Sequence, residues 1–272
     1  ADFATLSQEN TNTLFYVGTA ITNLQNDIRG RIYRAKGNPW PIIIKGTWNG
    51  QGYKCSMAAL IRHNFENAST WRVQLYSDAA WTTQIYDSGT LNAFPGATLG
   101  ELDWGVSPLG SGIYDAFMGQ RLSVMWFTEV TALSFKITVN DSGNSATYVD
   151  ISRLFLGKYI SPVYNATYGM KLSWKENTAQ SRSDGGTLRS DGGQPWRTLQ
   201  FDLGALPEAD RAAWSDVFRY AGLRKDMFIS IFPGSGGELE RDYQMACKFI
   251  QLPENDNFAP SYYRTTVQVE ET

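Results

Sequence analysis

This chain is poor in the residues from which catalytic and metal sites are usually made. Histidine occurs once and cysteine twice. His63 has no nucleophile motif beside it, so it reads as a structural or surface side chain. Neither His-x-Glu nor Cys-x-x-Cys is present, and one His with two distant Cys excludes the usual zinc sets. Cys55 and Cys247 are too few and too far apart for a disulfide framework. They read as two buried reduced thiols, pointing to assembly in a reducing cytoplasm, with a single long-range disulfide as the alternative. No apolar run approaches the eighteen residues of a membrane-spanning helix. The chain starts Ala1, Asp2 and runs on through Thr5, Ser7, Gln8 and Glu9 without a basic-then-apolar leader, which fits loss of an initiator Met. Charged residues are only 19% and the net charge is −3, a balance that argues against a nucleic-acid binder. Gly234-Ser-Gly-Gly lacks the Lys-Ser/Thr of a phosphate loop and reads as a hairpin turn, as does Asn49-Gly-Gln-Gly52. No cofactor, metal or catalytic residue is expected.

What the chain does have is aromatic bulk and strand signals. Its 272 residues suit one large or two ordinary domains, and 14% are aromatic, enough to build cores and interfaces from large side chains. Residues 42–48, 71–76, 122–127, 132–139 and 148–155 are strand-like, and Trp71, Val73 and Leu75 alternate strictly. Turn residues interrupt them at Asn49-Gly50, Asp87-Ser-Gly89, Pro95-Gly96, 107–112 and 140–143. Short strands between such turns predict an antiparallel β-sandwich, with 114–119 as its only short helix candidate.

The last third reads differently. Residues 196–203 alternate through Trp196, Leu199, Phe201 and Leu203, with a slip at Thr198. Residues 207–221 then show helical spacing, with Ala213, Trp214, Val217, Phe218 and Ala221 on one stripe and Gly222 to close it. A short strand at 227–232, a turn at 233–237 and strands at 245–252 and 262–269 follow. The fold class is therefore mainly β, with one α-helix in the second domain. Residues 157–166 read as a linker and 170–174 as the first strand after it. The expected domains are 36–160 and 161–272. Residues 1–35 form an N-terminal segment whose alternation at 13–17 permits pairing with the second domain's sheet. One short repeat, Arg182-Ser-Asp-Gly-Gly186 and Arg189-Ser-Asp-Gly-Gly193, offers two tight turns.

Acidic pairs are the remaining route to chemistry. Glu101 and Asp103 lie two apart beside Trp104, with Asp87 and Asp115 as other partners, but carboxylates in loops are usually solvated. Asp141, Asn144 and Asp150 carry oxygens that suit calcium, at a spacing unlike the twelve-residue calcium loop.

The strand at Trp196, the helix containing Trp214, Gly222 before 227–232 and the basic-aromatic strand near Tyr262 resemble the tube-forming domain of tailed-bacteriophage tail-tip proteins, especially the siphophage distal tail protein. Residues 69–78, 85–89 and 150–157 resemble the galactose-binding-like jelly rolls that recur in phage structural proteins. The resemblance implies a jelly roll joined to a tail-tube-like β-sandwich or barrel. The function it implies is a structural ring of the phage tail tip or baseplate, connecting the tail tube to the adsorption apparatus. The ring would be a homo-hexamer, or else a trimer, with tube, hub and tape-measure proteins as partners and DNA only as passing cargo. Its place would be the virion, after assembly in the host cytoplasm. Candidate interface residues are Arg182, Asp184, Arg189, Asp191, Phe232, Tyr262, Tyr263 and Arg264. Jelly rolls of this kind bind sugars at loops on one end, which here implies Trp48, Asn49, Asp78, Trp81, Asp103 and Trp104, facing a cell-surface glycan. The alternative is a carbohydrate- or receptor-binding module without ring assembly.

Overall fold

The computed structural model describes residues 2–9, 19–36, 40–66, 68–94, 121–235 and 237–272. Glu101, Asp103, Trp104, Asp115, the alternation at 13–17 and the helix candidate at 114–119 lie outside these residues. The fold is mainly β, with antiparallel sheets throughout. Contacts divide the chain into two units, one of residues 1–159 with 233–241, the other of 160–232 with 242–272.

The first unit has strands β1 (Ala4–Gln8), β2 (Tyr33–Lys36), β3 (Ile42–Trp48), β4 (Tyr53–His63), β5 (Thr70–Tyr76), β6 (Gln84–Asp87), β7 (Leu91–Asn92), β8 (Leu122–Ala132), β9 (Ser134–Asn140) and β10 (Tyr148–Gly157). One six-stranded sheet runs β1-β3-β9-β5-β6 with β7 on β5, and a four-stranded sheet runs β2-β10-β4-β8. Both sheets contribute to one core: Ile42, Ile44, Val73, Leu75, Phe135 and Ile137 from the first, Tyr33, Leu60, Ile151 and Leu154 from the second. The sequence sets this parity. In β3, β5 and β9 every second side chain is apolar and faces inward, leaving Ile43, Lys45, Arg72, Gln74, Lys136 and Thr138 on the outer face. Gly46 stands at an inward position because a Cβ there would run into the Phe135 ring.

The described strands of the N-terminal segment pair within the first unit, and the alternation at 13–17 lies outside the described residues. β1 pairs with β3, Ala4 opposite Trp48, and β2 pairs with β10, Tyr33 opposite Ile151. Burial of Ala4, Leu24, Tyr33 and Ala35 in the first core accounts for it, and Asp2 adds an ion pair to the buried Arg153 at 2.9 Å.

The second unit holds β11 (Lys171–Lys175), β12 (Gln180–Arg182), β13 (Leu188–Ser190), β14 (Trp196–Pro207), α1 (Glu208–Ala221), β15 (Met227–Ser230), β16 (Gln244–Phe249), β17 (Asn255–Ala259) and β18 (Tyr262–Glu271). Its sheet runs β11-β14-β18-β16-β15 with β17 on β18, and β12 and β13 form a separate hairpin. Glu208 and Asp210 in the first turn of α1 and Arg219 in its last complement the helix dipole. Gly222, at φ +54°, ends the helix with its N–H on the Phe218 carbonyl. Phe218 then packs edge-on against Phe249 at 5.5 Å, which fixes the helix on the sheet.

A second short helix, α2 (Gly237–Asp242), follows the turn at Gly234, and its residues up to Arg241 fall in the first unit, so α1 stays the one full helix of the second. The Ser-Asp-Gly-Gly copies also diverge. The first turns between β12 and β13, with Gly186 at φ +82° donating to the Ser183 carbonyl. The second leaves β13 without a turn, held by Gly193 N–H on Thr178 Oγ1 at 3.0 Å. Each unit encloses one free, buried thiol, Cys55 in the first and Cys247 in the second.

Candidate functional site

The four described members of the sugar-loop set fall in two places. Trp48 ends β3 at 2% exposure, between Tyr53 at 5.5 Å and Phe135 at 5.1 Å. It is a core residue with no face for a ligand, because it shares the inward parity of Ile42 and Ile44. Asn49 beside it is exposed in the turn that Gly50 makes at φ +73°.

Asp78 and Trp81 share the loop after β5. The Asp78 carboxylate accepts the N–H groups of Ala80, Thr82 and Thr83 and the Thr82 hydroxyl, at 2.5–3.1 Å. The backbone bonds from Thr82 and Thr83 hold its pKa at about 2. That carboxylate organises its own loop and has little capacity left for a ligand. Trp81 sits at φ +57°, donates Nε1–H to the Phe135 carbonyl at 3.2 Å and lies under the Lys45 ammonium at 4.7 Å. The indole is thereby pinned to the sheet's outer face.

That outer face carries a cleft. Its volume is about 370 Å³, and it is lined by Pro41, Ile43, Thr70, Arg72, Thr138 and Asn140, with Gln74, Thr90, Lys136 and Trp71 completing it. Register explains the grouping: Ile43, Thr138 and Arg72 face each other across β3, β9 and β5, and Lys45, Lys136 and Gln74 form the next row. Hydroxyl and amide groups both donate and accept, so this lining can match a ligand that does likewise. Pro41 and Ile43 supply an apolar patch beside them. Around the rim, Arg72 pairs with Asp87, Nε to Oδ1 at 2.7 Å, and this bond is the main reason the Asp87 pKa falls to about 2. Glu9 contacts Lys45 at 2.9 Å and Lys136 at 3.6 Å; its hydrogen bond from Lys45 is the main reason its pKa falls. No loop-centred reading of the sequence finds this cleft. The signal was the polar residues at every second position of three strands.

Elsewhere the polar side chains serve the fold. His63 Nε2 lies 2.9 Å from the buried Ser123 hydroxyl, a nucleophile–base spacing that sequence reading missed. The pair is wired the wrong way for catalysis. Phe65 N–H donates to Nδ1, so the ring proton sits on Nε2 and points at Ser123, whose own proton goes to the Ala93 carbonyl at 2.6 Å. Burial, with the Arg121 charge second, lowers the His63 pKa to about 3 and keeps the ring neutral. The calcium-type residues do not converge. Asp141 accepts from Ser69 Oγ at 2.6 Å and Asn144 Nδ2 at 2.7 Å, while Asp150 is paired with Arg34 at 2.6 Å. Among the described residues no group of three or more His, Cys, Asp or Glu could hold a metal ion.

The expected interface residues are spread over the second unit. Arg182, Asp184, Arg189 and Asp191 are all exposed on or beside the β12–β13 hairpin, though Arg182 is partly spent on the Gly186 carbonyl at 2.8 Å. Tyr262 is exposed, and Arg264 pairs with Asp256 at 2.7 Å. Phe232 and Tyr263 are half-buried, the first edge-on to Tyr243 at 5.3 Å and the second beneath the Arg211 guanidinium at 5.1 Å.

No family model matches this chain, and no curated protein matches it. Among solved structures it is similar to chitosan-binding module 1 of a chitosanase/glucanase from Paenibacillus sp. IK-5, at 12% identity and TM-score 0.38, over 57% of this chain and 96% of that one. It is also similar to CBM32-3 of a family 31 glycoside hydrolase from Clostridium perfringens, at 14% identity and TM-score 0.39, over 58% and 96%. A third is a Ruminococcus gnavus GH29 fucosidase in complex with fucose, at 15% identity and TM-score 0.39, over 59% of this chain and 26% of that one. Likenesses this distant bear on neither ligand nor activity.

Proposed function

We propose that this chain is a non-catalytic binding protein whose first unit holds a carbohydrate in the cleft on the outer face of the six-stranded sheet. The observation that carries the reading is the lining. Thr70, Thr138, Gln74 and Asn140 present hydroxyls and amides at strand spacing beside Pro41 and Ile43. A sugar ring has that same combination, hydroxyls that donate and accept around an apolar C–H face. The cleft's volume of about 370 Å³ falls within the range of small-ligand pockets. The test is a glycan array probed with the full chain and with Thr138→Trp, which fills the cleft from an outward strand position. The parent is expected to bind saccharides, and the variant to lose about tenfold or more in affinity with its melting temperature unchanged. Undiminished binding by the variant, or a parent that binds no saccharide, overturns the reading.

A second reading concerns assembly and draws on the second unit. Most exposed large apolar side chains of the described residues lie there, among them Val163, Tyr168, Trp174, Leu223, Leu252 and Phe258. Its sheet ends on β11 and β15, each paired on one side only among the described residues. Two such edges suit head-to-tail contact between copies. On this reading the copies form a ring in a phage tail tip, with tube, hub and tape-measure proteins as neighbours and the first unit offered to a cell-surface glycan. Native mass across a concentration series is expected to give a hexamer or trimer. A monomer at every concentration counts against self-driven ring closure.

A further inference from the structure

We infer that the cleft selects acidic sugars, seating a uronate carboxylate between Arg72 and Lys136; this rests on the carbohydrate reading above. Both side chains line the cleft, and no Asp or Glu lines it with them. Their positions follow from register. Arg72 faces Thr138 and Gln74 faces Lys136 across β5 and β9, so the two cations are diagonal neighbours, roughly 7–8 Å apart at their Cα atoms. Like charges this close on one sheet face repel.

The carboxylates that offset them stand outside the cleft and leave donors unspent. Asp87 takes the Nε and Nη2 edge of Arg72, and Nη1 has no acceptor among the described residues. Glu9 sits closer to Lys45, at 2.9 Å, than to Lys136, at 3.6 Å, which is beyond a charge-assisted hydrogen bond. Arg72 and Lys136 side chains remain 42% and 25% exposed, within reach of a ligand. A carboxylate entering here meets two cations together with the Thr138 hydroxyl. A neutral sugar would use the hydroxyl and leave Arg72 Nη1 without an anionic acceptor.

The experiment titrates the full chain with matched pairs, galacturonate against galacto-oligosaccharides and glucuronate against gluco-oligosaccharides, at low and high salt. The acidic member of a pair is expected to bind about tenfold tighter at low salt, the scale of one charge-assisted hydrogen bond, and to lose that margin as salt rises. Lys136→Gln and Arg72→Gln should each shrink the preference, read as the ratio of acidic to neutral affinity within one variant; misfolding would weaken both members alike and leave that ratio unmoved. Equal binding of both members, or a preference untouched by either variant, overturns the inference and leaves the carbohydrate reading standing. Binding of neither member overturns both. If sodium acetate displaces the acidic sugar at equal concentration, the site holds anions without reading the sugar, and the inference falls.

Discussion

Arg197→Ala is expected to cost the second unit about 3–5 kcal/mol, the scale of breaking one side of a buried ion pair. Arg197 is 1% exposed at the start of β14. Its Nε and Nη2 fork onto Glu271 at 3.1 and 3.2 Å, and Nη1 and Nη2 also donate to the Asp242 and Gln244 carbonyls at 3.0 and 3.1 Å. The guanidinium therefore ties the last strand, β18, to the chain entering β16. Truncation leaves the Glu271 carboxylate with the backbone N–H of residue 197 but without its counter-charge, and takes the guanidinium donors from two carbonyls in a poorly hydrated place. The measurement is urea unfolding with amide exchange read at β14 and β18, since a two-unit chain need not melt in one step. Arg197→Met with Glu271→Leu should recover much of the loss, because paired apolar replacement leaves no orphaned charge. A single variant within about 0.5 kcal/mol of the parent would sink the account.

Phe135→Ala is expected to be comparably damaging to the first unit, by about 3–5 kcal/mol, through the cavity it leaves. Phe135 is fully buried, packs on Trp48 at 5.1 Å and lies where a side chain on Gly46 would otherwise be. The pair should be non-additive. Gly46→Ala in the parent should cost about 1–3 kcal/mol by overpacking, and much less once Phe135 is alanine. A double-mutant cycle by chemical denaturation reads the coupling directly. Simple additivity of the two losses would show that the ring and the glycine do not share space.

How much of this was legible depended on whether a strand has one buried face or two. β3, β5 and β9 are half-buried, and their alternation announces them. β4 escaped notice although it is one of the longest strands, because seven successive residues from Cys55 to Ile61 are buried and no alternation survives. Trp48 reads as a loop residue from its neighbours Asn49 and Gly50, yet counting by twos from Ile42 places it inside. The cleft was harder. Arg72, Gln74, Lys136 and Thr138 each look like an ordinary solvent position, and only the register between β5 and β9 makes them neighbours. Register depends on pairing over long sequence separations, which no local pattern carries. The twin Ser-Asp-Gly-Gly copies make the same point in reverse: identical residues turn in one place and run on in the other, because only the first lies between two strands that pair with each other.

The two thiols give this chain a pair of independent internal reporters. Burial pushes the Cys55 pKa up to about 12 and drives that of Cys247 upward as well, so neither forms the reactive thiolate while its unit stays closed. Reaction with an alkylating probe then needs local opening, and each modified site names the core that opened. With one such group per core, the stabilities of the two units can be read separately in the intact chain, with no residue added and none removed.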